Sequence, residues 1–342
     1  MTGERLPPRV AETTAKGGVM IRGFHNENGC LSLISDREEF SENLVWIDLV
    51  GPMPDEKSLV ENLTGIDVPT KEEMEEIEIS SRLYLENGAA FMTVILPSQT
   101  DTGEPEMHPV TFALTNRHLI TVRYHEPRSF RTFPARAEKI PMGCETAEGI
   151  LLGLLEATVD RLADILERDG QEIDAISRKI FRHRADKPTR THDFQEVLEN
   201  IGQKGDLTSK IRDSLVSFDR MAGFLSHLMQ QRRSGKDIRE RIKTLSRDIR
   251  SLADYAGFLS QQITFLLDAT LGMINIEQNS IIKIFSVAAV VFLPPTLIAS
   301  IYGMNFTHMP ELDWLVGYPF AIGLMIVSAI LPYVYFKRRG WL

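Results

Sequence analysis

Along roughly the first 145 residues the apolar positions come in short runs. Residues 43–49 (NLVWIDL) have the continuous apolar character of a buried strand, and residues 71–79 (KEEMEEIEI) predict an acidic helix. Segments 82–85 and 89–96 flank Glu86-Asn87-Gly88, and segments 112–115 and 118–124 flank Asn116-Arg117, which predicts two hairpins. Strands interspersed with helices predict an α/β layer over residues 19–145. From Glu145 to about Ser234 the spacing turns helical, with a break near residues 185–188, so residues 146–235 are assigned to a hairpin of two helices.

No proline falls between Pro188 and Pro294. From Ile238 the apolar series runs through Ile242, Leu245, Ile249, Leu252, Ala256, Leu259, Ile263, Leu266, Thr270 and Met273 in alternating steps of four and three. This is an a/d seam kept for five heptads. It predicts a stalk helix over 236–303 that continues into a membrane span, about 100 Å long at 1.5 Å per residue. Two partners suit such a seam: the hairpin of the same chain, or further copies ringed about an axis.

Residues 284–301 and 315–336 are two runs without a charged side chain, 18 and 22 residues long, each enough to cross a bilayer. Tyr302, Trp314 and Tyr318 edge them on one side, Tyr333, Tyr335 and Trp341 on the other. Lys337, Arg338 and Arg339 follow the second run, whereas the connection between the runs has no Lys or Arg and holds Glu311 and Asp313. The positive-inside bias therefore puts both termini in the cytoplasm. The expected boundaries are an outer loop over 304–317, a second span over 318–337 and a basic tail over 338–342. Pro294 and Pro295 should bend or loosen the first span.

One stripe of the long helix is polar or small. Asp268, Asn275 and Asn279 share a face, and helical spacing continues it through Ile282, Ser286, Ala289, Leu293, Thr296 and Ser300, opposite Val287, Val290, Val291, Leu297 and Ile298. Lipid-facing positions should be apolar throughout, so the first stripe faces protein or water: it lines a pore or serves as interhelical glue. Two spans cannot enclose an aqueous path, so conduction would need several copies.

Composition separates the two parts further. The chain has 342 residues, 43% hydrophobic and 25% charged, with net charge −9. Residues 281–342 carry four cations and two acids, net +2, which leaves −11 for residues 1–280. That acidity argues against nucleic acid as a partner. Cys30 and Cys144 cannot form a disulfide framework and suit a reducing compartment. The first 18 residues lack the apolar core of a signal peptide and predict a disordered tail. P-loop, dinucleotide-glycine, HExxH and CxxC patterns are missing, so the expectation is a non-enzyme without an organic cofactor.

The first run ends in Tyr302-Gly303-Met304-Asn305-Phe306, and Met309-Pro310-Glu311-Leu312 follows in the loop. YGMNF and then MPEL between two C-terminal spans, with IIKIFSVAAVVFLPPT at 281–296 and LLDATLGMI at 266–274, closely resembles the CorA family of divalent-cation channels. The resemblance implies a homopentameric funnel in a bacterial-type inner membrane, with an α/β/α cytoplasmic domain, five stalk helices around one pore, and passive import of Mg2+, Co2+ and Ni2+. It implies a selectivity filter of Gly303, Met304 and Asn305, pore-lining roles for Asn279 and Thr296, and hydrophobic constrictions at Leu293, Ile282 and Phe285. The stripe adds Asn275, Ser286 and Ala289 to the lining, and Glu311 belongs to the outer loop.

The family also implies regulatory Mg2+ held by carboxylates between cytoplasmic subunits. Candidates are Asp268, Asp254 and Asp248 on the stalk, and Glu72, Glu73, Glu75 and Glu76 on the acidic helix. Two departures stand out: Thr244 occupies the family's main stalk regulatory position, and Thr307 stands where some members have glutamate. Two other functions compete with Mg2+ import. A zinc transporter of the ZntB type would want nitrogen or sulfur ligands, and the proposed pore has none besides His308 in the loop. A membrane-anchored coiled-coil scaffold would conduct nothing, and would have no reason to carry Thr296, Asn305 and a prolyl pair along one tract.

Overall fold

The computed structural model describes residues 20–34, 40, 43–76, 78–99, 105–182, 191–304, 310 and 314–341. The N-terminal tail, the helical break near residues 185–188, Asn305 and Glu311 lie outside the described residues. The chain divides into two units, one of residues 1–179 and 199–264, the other of 180–198 and 265–342.

The first unit is built on a seven-stranded sheet of β1 (Met20–Glu27), β2 (Cys30–Ile34), β3 (Leu44–Val50), β4 (Leu83–Glu86), β5 (Ala89–Ser98), β6 (Glu106–Leu114) and β7 (Leu119–Arg123). The order is β2-β1-β3-β7-β6-β5-β4. Among the described residues only β3 and β7 pair in parallel, and the other ladders are antiparallel. Asn87-Gly88 turns β4 into β5 with both φ positive (51° and 78°), as a two-residue hairpin with right-twisted strands requires. The same turn at Asn28-Gly29 (55° and 87°) joins β1 to β2, a hairpin the sequence reading above omits. The helix expected over 71–79 is shorter. It stops at α2 (Lys71–Glu75) because Glu76 adopts an extended ψ of 138°, and a separate turn, α3 (Ile79–Arg82), leads into β4.

Both faces of the sheet are covered. On one, Ile47, Leu49, Phe91, Ile120 and Val122 pack with Val60 of α1 (Pro54–Thr64) and Met74 of α2. On the other, Trp46 stacks on Phe24 and lies close to Phe130 and Phe133 of α4 (Ser129–Ala137). Behind α4 runs α5 (Ala147–Arg182): a Cβ on Gly153 would come 2.5 Å from the Phe133 ring, so only glycine lets the two helices approach there. This is the expected α/β/α layering.

A polar pair is sealed inside the second face. Arg123 and Asp48 are 0% and 1% exposed, with Nη2 to Oδ2 at 2.8 Å and Nε to Oδ1 at 3.1 Å. Thr121 donates to the same Asp48, and the Trp46 indole N–H donates to Thr121. The guanidinium also lies over the Phe130 ring, 4.8 Å from its centroid. The Asp48–Arg123 contact is made in a fixed fork geometry, which is what makes a buried charge tolerable.

The hairpin and stalk complete this unit with α5, α6 (Thr191–Gln231) and α7 (Lys236–Tyr302). The heptad seam faces the chain's own helices: Ile242, Leu245, Ile249, Ala256 and Leu259 are all 3% exposed or less. Arg241 grips Glu156 of α5 at 2.8 and 3.0 Å, Arg250 reaches Asp219 of α6 at 2.9 Å, and Gln262 reaches Asp174 of α5 at 3.0 Å. Of the two partners open to the seam, the intrachain hairpin is the one it meets. In the second unit the seam continues through buried Leu266 and Thr270, and Phe265 stacks near Phe181 with ring centroids 6.1 Å apart. α7 stays helical through Pro294 and Pro295, and α8 (Gly317–Arg338) follows.

Two outcomes test this packing. Asp48→Ala strands the Arg123 charge in the core and should cost about 3–5 kcal/mol, read from urea unfolding by near-ultraviolet circular dichroism. The His125 imidazole is pushed down to about 3, first by burial and then by neighbouring His108 and Arg123. Between about pH 6.5 and 3 the unfolded chain therefore binds a proton that the folded chain refuses, so stability falls with acidification, by up to about 1.4 kcal/mol per pH unit. His125→Gln should flatten the fall in unfolding midpoint between pH 7 and pH 5.

Candidate functional site: the membrane segment of the long helix

Two helices, α7 and α8, are long and apolar enough to cross a membrane, and the apolar window of each is only 6% buried. A core helix of a soluble protein would be covered. Here Phe285 (72%), Phe292 (69%), Leu293 (65%) and Leu331 (67%) stand open, a continuous apolar surface that water does not tolerate. The least exposed positions of the first span are Val287, Ala288, Val291, Pro294, Pro295, Ile298 and Tyr302, a stripe one helical turn apart. Ala321 is likewise buried on α8.

The candidate pore stripe lies off this covered face. Asn275, Asn279, Ile282, Phe285, Ser286, Ala289, Leu293 and Thr296 are all exposed on the single chain. The Thr296 hydroxyl donates to the Phe292 carbonyl at 2.8 Å, so it needs no partner on another helix, and it keeps its lone pairs for an outside donor. At the end of the helix the Gly303 amide closes on the Ala299 carbonyl at 3.0 Å, and the Met304 amide on Ile301 at 3.3 Å. A Cβ at Gly303 would sit 3.1 Å from the Ala299 oxygen, a tight approach that glycine relieves.

α8 ends in a left-handed Gly340 (φ 69°), with the Trp341 amide returning to the Phe336 carbonyl at 3.1 Å, a Schellman closure. Arg339 lies over the Tyr335 ring at 5.5 Å and Lys337 near Tyr333 at 6.0 Å. Cations and aromatics thus gather at one end of the span, as at a membrane interface.

The carboxylates considered for regulation are scattered. Among the described residues no three His, Cys, Asp or Glu side chains are grouped to hold a metal ion. Glu73 is occupied as a helix cap. Its Oε2 accepts the Thr70 amide at 2.7 Å while the Glu73 amide donates back to the Thr70 hydroxyl at 3.3 Å, and the Thr70 amide holds the Glu73 carboxyl below its ordinary range. Glu75 pairs with Lys71 at 3.8 Å. Glu72 and Glu76 are exposed on the same short segment, and Asp254 and Asp268 are exposed on α7. Asp248 lies beside acids of another helix. With Thr244 it lines a groove of about 740 Å³ between α5 and α7, beside Glu156, Asp160 and Glu240. The Asp160 carboxyl is raised there, first by desolvation and then by Asp164, Glu156 and Asp248.

An α/β/α unit carried on a long helix that becomes the first of two C-terminal spans defines a two-span membrane protein. The sequence matches the family described as CorA-like Mg2+ transporter protein over residues 41–338, and the chain belongs to that family. It is 37% identical to the magnesium transport protein CorA of Escherichia coli K12 over 325 residues, covering 94% of this chain and all of that one. The corresponding protein of Haemophilus influenzae is 34% identical over 324 residues, with the same coverage. The fold resembles the complete CorA magnesium transporter of Methanocaldococcus jannaschii (TM-score 0.74, 21% identity, 95% of this chain and 99% of that one). It also resembles the ZntB cytoplasmic domain of Vibrio parahaemolyticus (TM-score 0.53, 12% identity, 75% and 99%), a likeness of fold alone.

The capping assignment separates structure from metal binding. Glu73→Ala should lower stability by about 1 kcal/mol. The shift of thermal midpoint produced by added Mg2+ should stay the same size in Glu73→Ala as in the parent.

Proposed function

We propose that this chain is a passive, potential-driven channel that imports Mg2+, and accepts Co2+ and Ni2+, as a homopentamer in a bacterial-type inner membrane with both termini cytoplasmic. The observation that carries the reading is the division of α7. One face is spent on the chain's own hairpin, and a second stripe, ending at the Gly303-Met304 turn, is left without cover by the chain itself. Copies arranged about an axis would enclose that stripe. The relatives' shared name, magnesium transport protein, supplies the ion.

The stripe's chemistry suits that ion. Mg2+ sheds water reluctantly and takes oxygen ligands. Carbonyl oxygens of Asn305, Asn279 and Asn275, and the Thr296 hydroxyl, would hydrogen-bond its water shell without stripping it. Neutral donors bind weakly enough to let the ion leave. Ile282, Phe285 and Leu293 would narrow the path with apolar rings that close it by dewetting. A divalent ion gains about 4.6 kcal/mol per 100 mV, which is a sufficient driving force without a nucleotide. Gating by cytoplasmic Mg2+ would draw on the acidic groove beside Asp248, with the remaining ligands supplied by a neighbouring copy. Zinc transport is the lesser reading, since the stripe offers neither imidazole nor thiolate.

Purified protein in liposomes with a trapped Mg2+ indicator should show uptake that grows with inside-negative potential and needs no proton gradient. Asn305→Ala should change the initial rate by on the order of ten-fold, and the native mass should be five times the 38.7 kDa chain. Uptake of Zn2+ alone, driven by a proton gradient, would refute the magnesium reading. Absence of flux for both ions in folded protein would leave the scaffold.

A further inference from the structure

We infer that the α/β unit holds a binding site for a phosphate group, in a recess where the end of β5, the start of α4 and the middle of α5 meet. The recess has a volume of about 150 Å³ and is lined by Ser98, Glu126, Arg128, Ser129, Arg131 and Arg161 among others. Arg128, Arg131 and Arg161 all belong to its lining, in a body that is otherwise strongly acidic. The acid in the lining is turned aside: Glu126 Oε1 lies 3.5 Å from Arg123 Nη2 and 3.7 Å from Arg22 Nη1.

A buried hydroxyl points the same way. Ser98 is 6% exposed, and its Oγ is buried without a hydrogen-bond partner. A hydroxyl so placed is costly unless an acceptor reaches it from the cavity. Arginine forks match tetrahedral oxyanions in geometry as well as charge. The amides of Phe130 and Arg131 close on the Pro127 and Arg128 carbonyls, so the end of α4 adds its field rather than open donors. The volume accepts one phosphate group. The ligand is therefore free orthophosphate, or the terminal phosphate of an ester whose remainder stays outside.

The site stands apart from the transport reading and can be tested without flux. Full-length protein in detergent is dialysed to equilibrium against radiolabelled orthophosphate at fixed ionic strength, with EDTA present. The expected result is saturable binding of one phosphate per chain, undisturbed by chloride. Arg131→Gln, on an exposed side chain that leaves the fold alone, should weaken it by at least about ten-fold. Ser98→Ala, which changes no charge, should weaken it several-fold, with the unfolding midpoint of both variants checked. Competition by ATP in the same EDTA buffer would assign the site to phosphate esters, and binding that ATP leaves intact would assign it to orthophosphate. No saturable binding of either, or binding that Ser98→Ala leaves unchanged, would overturn the site.

Discussion

The structure turns on how α7 divides its surface. A helix of 67 residues offers more faces than its own chain covers. In the first unit the seam is sealed by α5 and α6, as the near-zero exposure of Ile249, Ala256 and Leu259 records. Beyond Lys283 the apolar window of the same helix is only 6% buried. Hydrocarbon can satisfy Phe292 and Leu297. It cannot satisfy Asn275 and Asn279, which lie on the stripe at the approach to the span, or welcome Ser286 and Thr296 within it. The chain is thus complete as a cytoplasmic fold and incomplete as a membrane one, and that asymmetry argues for self-assembly.

The α/β unit answers a different need, a rigid mount for the base of the helix. Its stiffness comes from a core sealed on both sheet faces and from charges fixed by geometry rather than by number. The Asp48–Arg123 pair, the Trp46–Thr121 bond and the Arg241–Glu156 fork each tie elements far apart in sequence. Arg232 adds another tie, donating to the Thr115 and Leu114 carbonyls at 3.1 and 3.3 Å and so clasping the end of α6 to the β6–β7 turn.

What the sequence shows follows the length of each signal. Five heptads, two uncharged runs and the Asn87-Gly88 turn are long or chemically specific, and the stalk, spans and hairpin appear where these put them. The β1–β2 hairpin had an equally good Asn-Gly turn, but alternation in β1 is blurred by His25, Asn26 and Glu27 at its end. α4 carries Pro134 inside it, and pattern alone disfavours a helix there. The acidic helix is shorter than its run of charge suggests, and Thr70 and Glu73 have the spacing of a capping box, a common use of a glutamate three residues after a threonine. The arginine recess could not be read at all, since Ser98, Arg128 and Arg161 come together only through the sheet order.

The distribution of charge along α7 links these observations. Lys283 is the last charged residue before the connection, and from there to Tyr302 the helix offers an ion nothing stronger than hydroxyl and carbonyl oxygen. Acids are kept back in the cytoplasmic part, at Asp248, Asp254 and Asp268 and in the groove with Asp160. A carboxylate inside a narrow apolar tract would hold a divalent ion too firmly, because little water remains to screen the attraction. The same carboxylate in a wide, wet groove binds loosely and can respond to concentration. On the proposed reading, neutral donors along the path and acids at its foot would let one helix combine fast passage with a graded response to the ion that has passed.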